Sequence, residues 1–290
     1  MADTTAADLI VPEVWADMSQ ARFIGAARVL NSAAVMTDDR LTGQPGDTIN
    51  FPKWGALGEL DDLTEAVPMT TEAMSQSSSS ATIREAGKAV EITDKALLTA
   101  LGDPRDEAQR QFGILAARKV DAALIAQAQA DETAQGGGTP YTITINGPDA
   151  STVAKLGWSN AIVPALATFG DEFDPAEFAG LFINSAQMAE VFADDQFINA
   201  ATLGTATPVT TGQVGLIAGM PVIVTDRITA GTFMIMKRNA LGALYKRRPI
   251  VETDRDILKR TTVITTNVHF AVKRLDDRGV VVGTLTAAGA

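Results

Sequence analysis

Along the chain, short runs in which apolar and polar residues alternate are interrupted by one long stretch with helical spacing. Asp47-Thr48-Ile49-Asn50-Phe51 alternates strictly, the pattern of a half-buried strand. Pro52 has no amide hydrogen, so this strand is predicted to be an edge. Two further alternating runs, Ala81-Thr82-Ile83-Arg84-Glu85 and Ala89-Val90-Glu91-Ile92-Thr93, are predicted to return antiparallel to it. The connection between them is long, rich in Asp, Glu, Thr and Ser, and closes on Ser75-Gln76-Ser77-Ser78-Ser79-Ser80. Such a connection is unusual inside a compact domain, and a lone two-stranded ribbon is marginal in water. The ribbon is therefore expected to lean on a neighbouring subunit.

The helical stretch follows. Asp103 is a good N-cap, Pro104 suits the first helical position, and Asp106 and Glu107 favour the positive end of the helix dipole. Phe112, Leu115, Ala116, Val120, Ala123 and Leu124 recur at helical spacing as far as Glu132, and Gly136-Gly137-Gly138 is the predicted stop. At 1.5 Å per residue this spine would reach ~42 Å. Beyond it the pattern predicts a strand over 139–146, then a helix over 150–169 weakened by Gly157 and Pro164. Next come a buried strand over 180–184 and a helix over 186–193, capped by Ser185 and ending near Asp194-Asp195. A loop over 199–215 leads to strands at 222–225 and 232–236, and the tail returns to strands at 241–246, 261–274 and 279–285. The alternation within 147–240 is that of an α/β or α+β unit inserted between ribbon, spine and tail strands. Residues 1–45 read as an extended arm with short helical pieces. Trp15, Met18, Phe23 and Val29 are scattered there without a sustained face, and Pro12 and the turn Thr42–Asp47 punctuate it.

Composition narrows the chemistry. Hydrophobic residues make up 46% of the 290-residue chain, enough for a sizeable core. There is no cysteine, so disulfides, thiolate nucleophiles and cysteine zinc sites are excluded. The formal charge, 24 − 35 = −11, disfavours non-specific binding to nucleic acid. No apolar run is long enough for a transmembrane helix, and the N-terminus lacks the basic segment of a secretory signal. The only histidine, His269, lies in an alternating strand and reads as structural or exposed. Asp171, Glu172 and Asp174 offer hard oxygen ligands without calcium-loop spacing, and read as a solvated loop. The glycine run is not followed by the Lys-Ser/Thr and helix of a phosphate-binding loop. Lys246-Arg247-Arg248 and Arg255, Lys259 and Arg260 are interleaved with Glu252, Asp254 and Asp256. They form either a mixed solvated face or, through Arg247 and Arg248, intersubunit partners for the acidic Glu59, Asp61, Asp62 and Glu65. No catalytic constellation emerges, so no catalytic residue, cofactor or metal is expected and the chain is read as a non-enzyme. A metal-dependent hydrolase built on the acidic clusters is the alternative from a different class.

Four segments together resemble the major capsid proteins of tailed bacteriophages, the Johnson-fold shell family shared with encapsulins. They are the arm Leu9-Ile10-Val11-Pro12-Glu13-Val14-Trp15, the turn and strand Gly43–Pro52, Leu181-Phe182-Ile183-Asn184-Ser185 before a helix, and Gln213–Thr225 with its Gly215, Gly219, Met220-Pro221-Val222. The resemblance implies an α+β capsid shell fold with an N-terminal arm (1–45), an extended β-hairpin E-loop (46–93) and a P domain with the spine helix (94–146). A central A domain (147–240) follows, and P-domain return strands (241–290) complete the periphery. It implies a structural protein forming hexamers and pentamers of an icosahedral head around double-stranded DNA, which it encloses without specific binding. An encapsulin-type nanocompartment is the runner-up. Expected partners are further copies of itself, a separate scaffolding protein, a portal and a decoration protein, with no membrane. Its place is the virion, assembled in the bacterial host cytoplasm. Trp15, Phe51, Lys53, Trp54, Glu59, Asp61, Asp62, Glu65, Arg247 and Arg248 are the candidate intersubunit contacts. Some family members crosslink an E-loop lysine to a neighbour's asparagine; Lys53 lies in this E-loop, but one lysine in a ribbon is no evidence for that chemistry.

Overall fold

The computed structural model describes residues 27–38, 46–54, 57–58, 60, 62, 65, 68–135, 138–194 and 216–288. In chain order these give β1 (Val35–Asp38), β2 (Thr48–Trp54), β3 (Gln76–Thr82), β4 (Arg84–Thr93), α1 (Asp94–Thr99), α2 (Pro104–Gln129) and β5 (Tyr141–Asn146). There follow α3 (Val163–Ala167), β6 (Phe178–Ile183), α4 (Ser185–Phe192), β7 (Leu216–Ile217), β8 (Met220–Val224), β9 (Thr232–Lys237), β10 (Leu241–Asp256), β11 (Thr261–Arg274) and β12 (Val280–Thr286). The strands form a four-stranded sheet in the order β1-β10-β11-β4, a six-stranded sheet β5-β12-β9-β6-β8-β7, and the two-stranded ribbon β2-β3.

The ribbon is shorter than the alternation suggested. β2 pairs antiparallel with β3, from Thr48 opposite Thr82 to Trp54 opposite Gln76. The run Arg84–Thr93, expected to continue the ribbon, instead pairs with β11 and belongs to the four-stranded sheet. An alternating pattern specifies which face is buried but not which strand lies alongside. The described part of the arm also departs from expectation. It contains no helical piece; β1 runs parallel to β10, with Val35 opposite Leu241.

α2 begins as its sequence dictates, with the Asp103 carboxylate accepting the Arg105 amide. It ends at Gln129, well before the glycine run expected to stop it. The cause is Arg274, fully buried, whose guanidinium donates to the carbonyls of Gln127, Ala128, Ala130 and Gly138. The carbonyls of Gln127, Ala128 and Ala130 at the helix end thus gain a charged donor, so the helix stops without an αL glycine. Val120, Leu124, Ile125 and Ala128 on α2 pack with Phe270 and Val272 of β11 and with Phe182 and Met234 of the six-stranded sheet, one core shared by both sheets. The outer half of α2 is held separately, by Phe112 against Ile92, Ala96 and Ile264.

The helix expected over 150–169 is reduced to a π-helical turn, Trp158–Ile162, running into α3. The amide of Ala154 is taken by the Thr286 carbonyl and that of Leu156 by the Glu190 carboxylate, so the preceding chain stays extended. Pro164 then cannot donate to Asn160, which favours the wider turn.

Gly113 sits on the exposed side of α2, where an added Cβ would meet nothing within 4 Å. Gly113→Ala is therefore expected to stabilise the subunit by about 0.5–1 kcal/mol, read as a higher urea midpoint at unchanged slope.

Candidate assembly surfaces

Two extremities of the subunit present apolar side chains to water. At the far end of the four-stranded sheet, β4 finishes at Thr93 opposite Thr261, beside the β10–β11 turn. The Thr93 hydroxyl accepts the Ala96 amide and starts α1, Asp94 donates its amide to the Arg260 carbonyl at 2.9 Å, and Arg255 reaches the Asp94 carboxylate at 2.9 Å. Asp256 accepts the amides of Leu258 and Lys259 and holds the turn. On this braced tip Leu97 turns inward to the Phe112 cluster, whereas Leu98 is 86%, Ile257 77% and Leu258 95% exposed. Acidic Asp94, Asp254 and Asp256 alternate there with basic Arg255, Lys259 and Arg260. None of these aliphatic residues was among the sequence candidates. The available signal was an apolar pair (Leu97-Leu98, Ile257-Leu258) set among charges just after an alternating strand.

The second extremity is the ribbon. Its root is tied to the body by the Ile83 amide on the Asp47 carbonyl and by Lys246, whose ammonium donates to the Gly46 carbonyl. Phe51 lies half-buried opposite Ser79, and Lys53 and Trp54 occupy ribbon positions opposite Ser77 and Gln76. Past the strands, Leu57, Leu60, Met69 and Met74 are all more than half exposed, and Asp62 and Glu65 are exposed too. Trp15, Glu59 and Asp61 lie outside the described residues. Arg247 and Arg248 follow Lys246 in the irregular stretch of β10 where the register against β11 shifts. Arg248 sits 5.6 Å from the Tyr245 ring centre. At ~3.4 Å per residue the strands of the ribbon span ~24 Å. The basic triplet thus stands at its root and the acidic connection at its far end.

The remaining polar candidates are engaged within the fold. His269 of β11 faces Arg247 on β10 and Glu85 on β4, with its Nε2 3.6 Å from the Glu85 carboxylate. Glu172 pairs with Arg278 at 3.0 Å, a bond that raises the guanidinium pKa further, and Asp174 caps the Ala176 amide. Asp194 accepts the Trp158 amide, while Asp195 and two glycines of the glycine run, Gly136 and Gly137, lie outside the described residues. Among the described residues no group of three or more His, Asp or Glu side chains is placed to hold a metal ion, and no helix is long and apolar enough to cross a membrane.

Comparison with known proteins agrees with this architecture. Residues 76–283 match the family described as phage capsid protein. The major capsid protein of Staphylococcus phage phiMR11 is 31% identical over 94% of this chain and 93% of its own length. The capsid subunit of cyanophage Pam1 superposes with a TM-score of 0.76 over all of both chains at 15% identity. A chain from Mycobacterium phage Che8 gives 0.70 over 94% of this chain and 96% of its own at 16% identity, so the α+β phage-capsid shell fold is shared although the sequences have diverged widely. With the family's sequence pattern spanning most of its length and a relative of the same kind matching nearly all of it, the chain belongs to the phage capsid protein family, the structural proteins of the virion shell.

Proposed function

We propose that the subunit assembles through its two extremities into hexamers and pentamers of a closed icosahedral head enclosing double-stranded DNA. The observation that carries this reading is the placement of Leu98, Ile257 and Leu258 at one end and Leu57, Leu60, Met69 and Met74 at the other. Large apolar side chains exposed together at one end of a fold mark an interaction site, and closed symmetric assembly is the ordinary way to bury them. On the sheet tip, acidic and basic groups are equal in number, so like tips can meet without net repulsion. The ribbon supports a second contact. Its acidic end, with Asp62 and Glu65, is separated by the ribbon's length from Arg247 and Arg248 on the same subunit, and Glu59 and Asp61 are the further acidic candidates in sequence. Pairing these charges therefore requires another copy. Trp15, Phe51, Lys53 and Trp54 would complete the arm and ribbon contacts.

In this reading residues 1–45 form the arm and the ribbon from residue 46 onward the E-loop. α2 and the four-stranded sheet form the peripheral domain, and 147–240 the central domain around the capsomer axis. The role is structural rather than enzymatic. A scaffolding protein, portal and decoration protein are its expected partners, DNA is enclosed without specific recognition, and assembly takes place in the host cytoplasm. Sedimentation velocity over a concentration series, with electron microscopy of fast species, tests the reading: closed shells or capsomers are expected, and a compact monomer at every concentration would overturn it. Leu98→Asp with Leu258→Asp should leave subunit stability within about 0.5 kcal/mol, since both side chains are exposed, while cutting particle yield severalfold.

A further inference from the structure

We infer that Asp121 is a positioning residue, a latch whose buried carboxylate sets the direction from which the N-terminal arm meets the body. Its side chain is fully buried in the middle of α2. Oδ1 accepts the amides of Val29 and Leu30, each at 2.8 Å, and Oδ2 accepts the Arg28 amide at 3.1 Å and Nη1 of Arg227 at 3.3 Å. Three successive backbone N–H groups thus converge on one carboxylate, an anion-holding turn filled by the protein's own side chain. Arg227, in the turn after β8, brings in the six-stranded sheet, so the bonds join the arm root, the spine and the central domain. Downstream the root is continuous with the body. Ala33 and Ala34 accept the amides of Asn239 and Leu241, and β1 enters the four-stranded sheet.

The arrangement has two states with little between them. With the carboxylate in place the turn 28–30 is satisfied and Val29 is buried in the shared core. With asparagine in its place one oxygen still accepts, but the amide nitrogen that replaces Oδ2 meets the Arg28 amide and the Arg227 guanidinium donor to donor, so the turn must shift to find other partners. The path of residues 27–34, and with it the approach of the preceding chain, depends on this one group. That this matters for shell building rests on the assembly reading above; the latch itself does not.

Hydrogen exchange of the unassembled Asp121→Asn subunit tests the latch. The amides of residues 28–30 should exchange at least about tenfold faster, with those of β6, β9 and β12 changed less than about twofold. Arg227→Met, which removes one bond and keeps the carboxylate, should produce a smaller change at the same amides. If Asp121→Asn fails to fold, Arg227→Met decides by whether its smaller acceleration is confined to residues 28–30. Unchanged exchange at 28–30, or acceleration spread over the whole chain, would overturn the latch. Where wild-type subunits assemble, Asp121→Asn should give fewer closed particles with a broader spread of diameters. Particles unchanged despite a freed turn would overturn the link to assembly alone. Failure of the wild type to assemble would strike the shell reading and leave the exchange result to decide the latch.

Discussion

Lys273→Met is expected to destabilise the isolated subunit by about 3–5 kcal/mol, although methionine fills much of the same space. Lys273 and Glu132 are 1% and 0% exposed, and their charged atoms are 2.8 Å apart. Glu132 also accepts a bond from the Gln127 side chain, and its backbone amide donates to the Gly138 carbonyl. Removing the ammonium leaves a buried carboxylate with one neutral donor, the costly half of an ion pair. The neighbouring Arg274, braced by Asp277 at 2.8 Å, depends on the same segment for its carbonyl acceptors. The end of α2 is therefore expected to loosen with the pair. With an unfolding entropy of about 2.1 cal/mol/K per residue, the loss corresponds to a fall of roughly 5–8 °C in melting temperature. Lys273→Met combined with Glu132→Leu should recover most of it, since no charge is then stranded. Equal losses in the single and double variants would mean that packing, and not the stranded carboxylate, sets the cost.

This pair shows where sequence reading stops. The start of α2 could be read from Asp103-Pro104 because a cap and its helix are neighbours in the chain, and β11 could be read from its sustained alternation. The end of α2 could not, because Arg274, which satisfies its last carbonyls, arrives from more than 140 residues away. Asp121 was equally hidden. A carboxylate in mid-helix has the pattern of a solvated position, and the three amides it holds come from a segment with no periodicity. The runs Ala81–Glu85 and Ala89–Thr93 are strand as expected, but from Arg84 onward the partner is β11 and not the ribbon, because alternation does not name the strand alongside. The surfaces proposed for assembly were legible in part. Charge and polarity marked the ribbon and the Arg247-Arg248 pair, whereas Leu98 and Leu258 had the pattern of core residues until the tip that exposes them was seen.

Gly283→Ala is expected to cost about 3 kcal/mol or more, and to lower particle yield through the fold alone, at a position inside the six-stranded sheet. A Cβ at this position would lie 2.1 Å from Cζ and 2.2 Å from Cε1 of Phe233. Neither partner can give way easily. Phe233 is fully buried with Leu181, Ile235 and Val281, and Gly283 sits in β12 opposite Ile143 of β5 on one side and Phe233 of β9 on the other. A shift of β12 would disturb both ladders at once, so the strain falls on a ring that close packing holds in one rotamer. Phe233→Ala alone should cost about 3–5 kcal/mol by leaving a cavity. Because the methyl of Gly283→Ala would partly occupy that cavity, the double variant should be more stable than the sum of the two losses by about 1–3 kcal/mol. Urea unfolding of the four members of this cycle measures the coupling directly. Strict additivity would show that the cost of Gly283→Ala does not arise from the Phe233 ring.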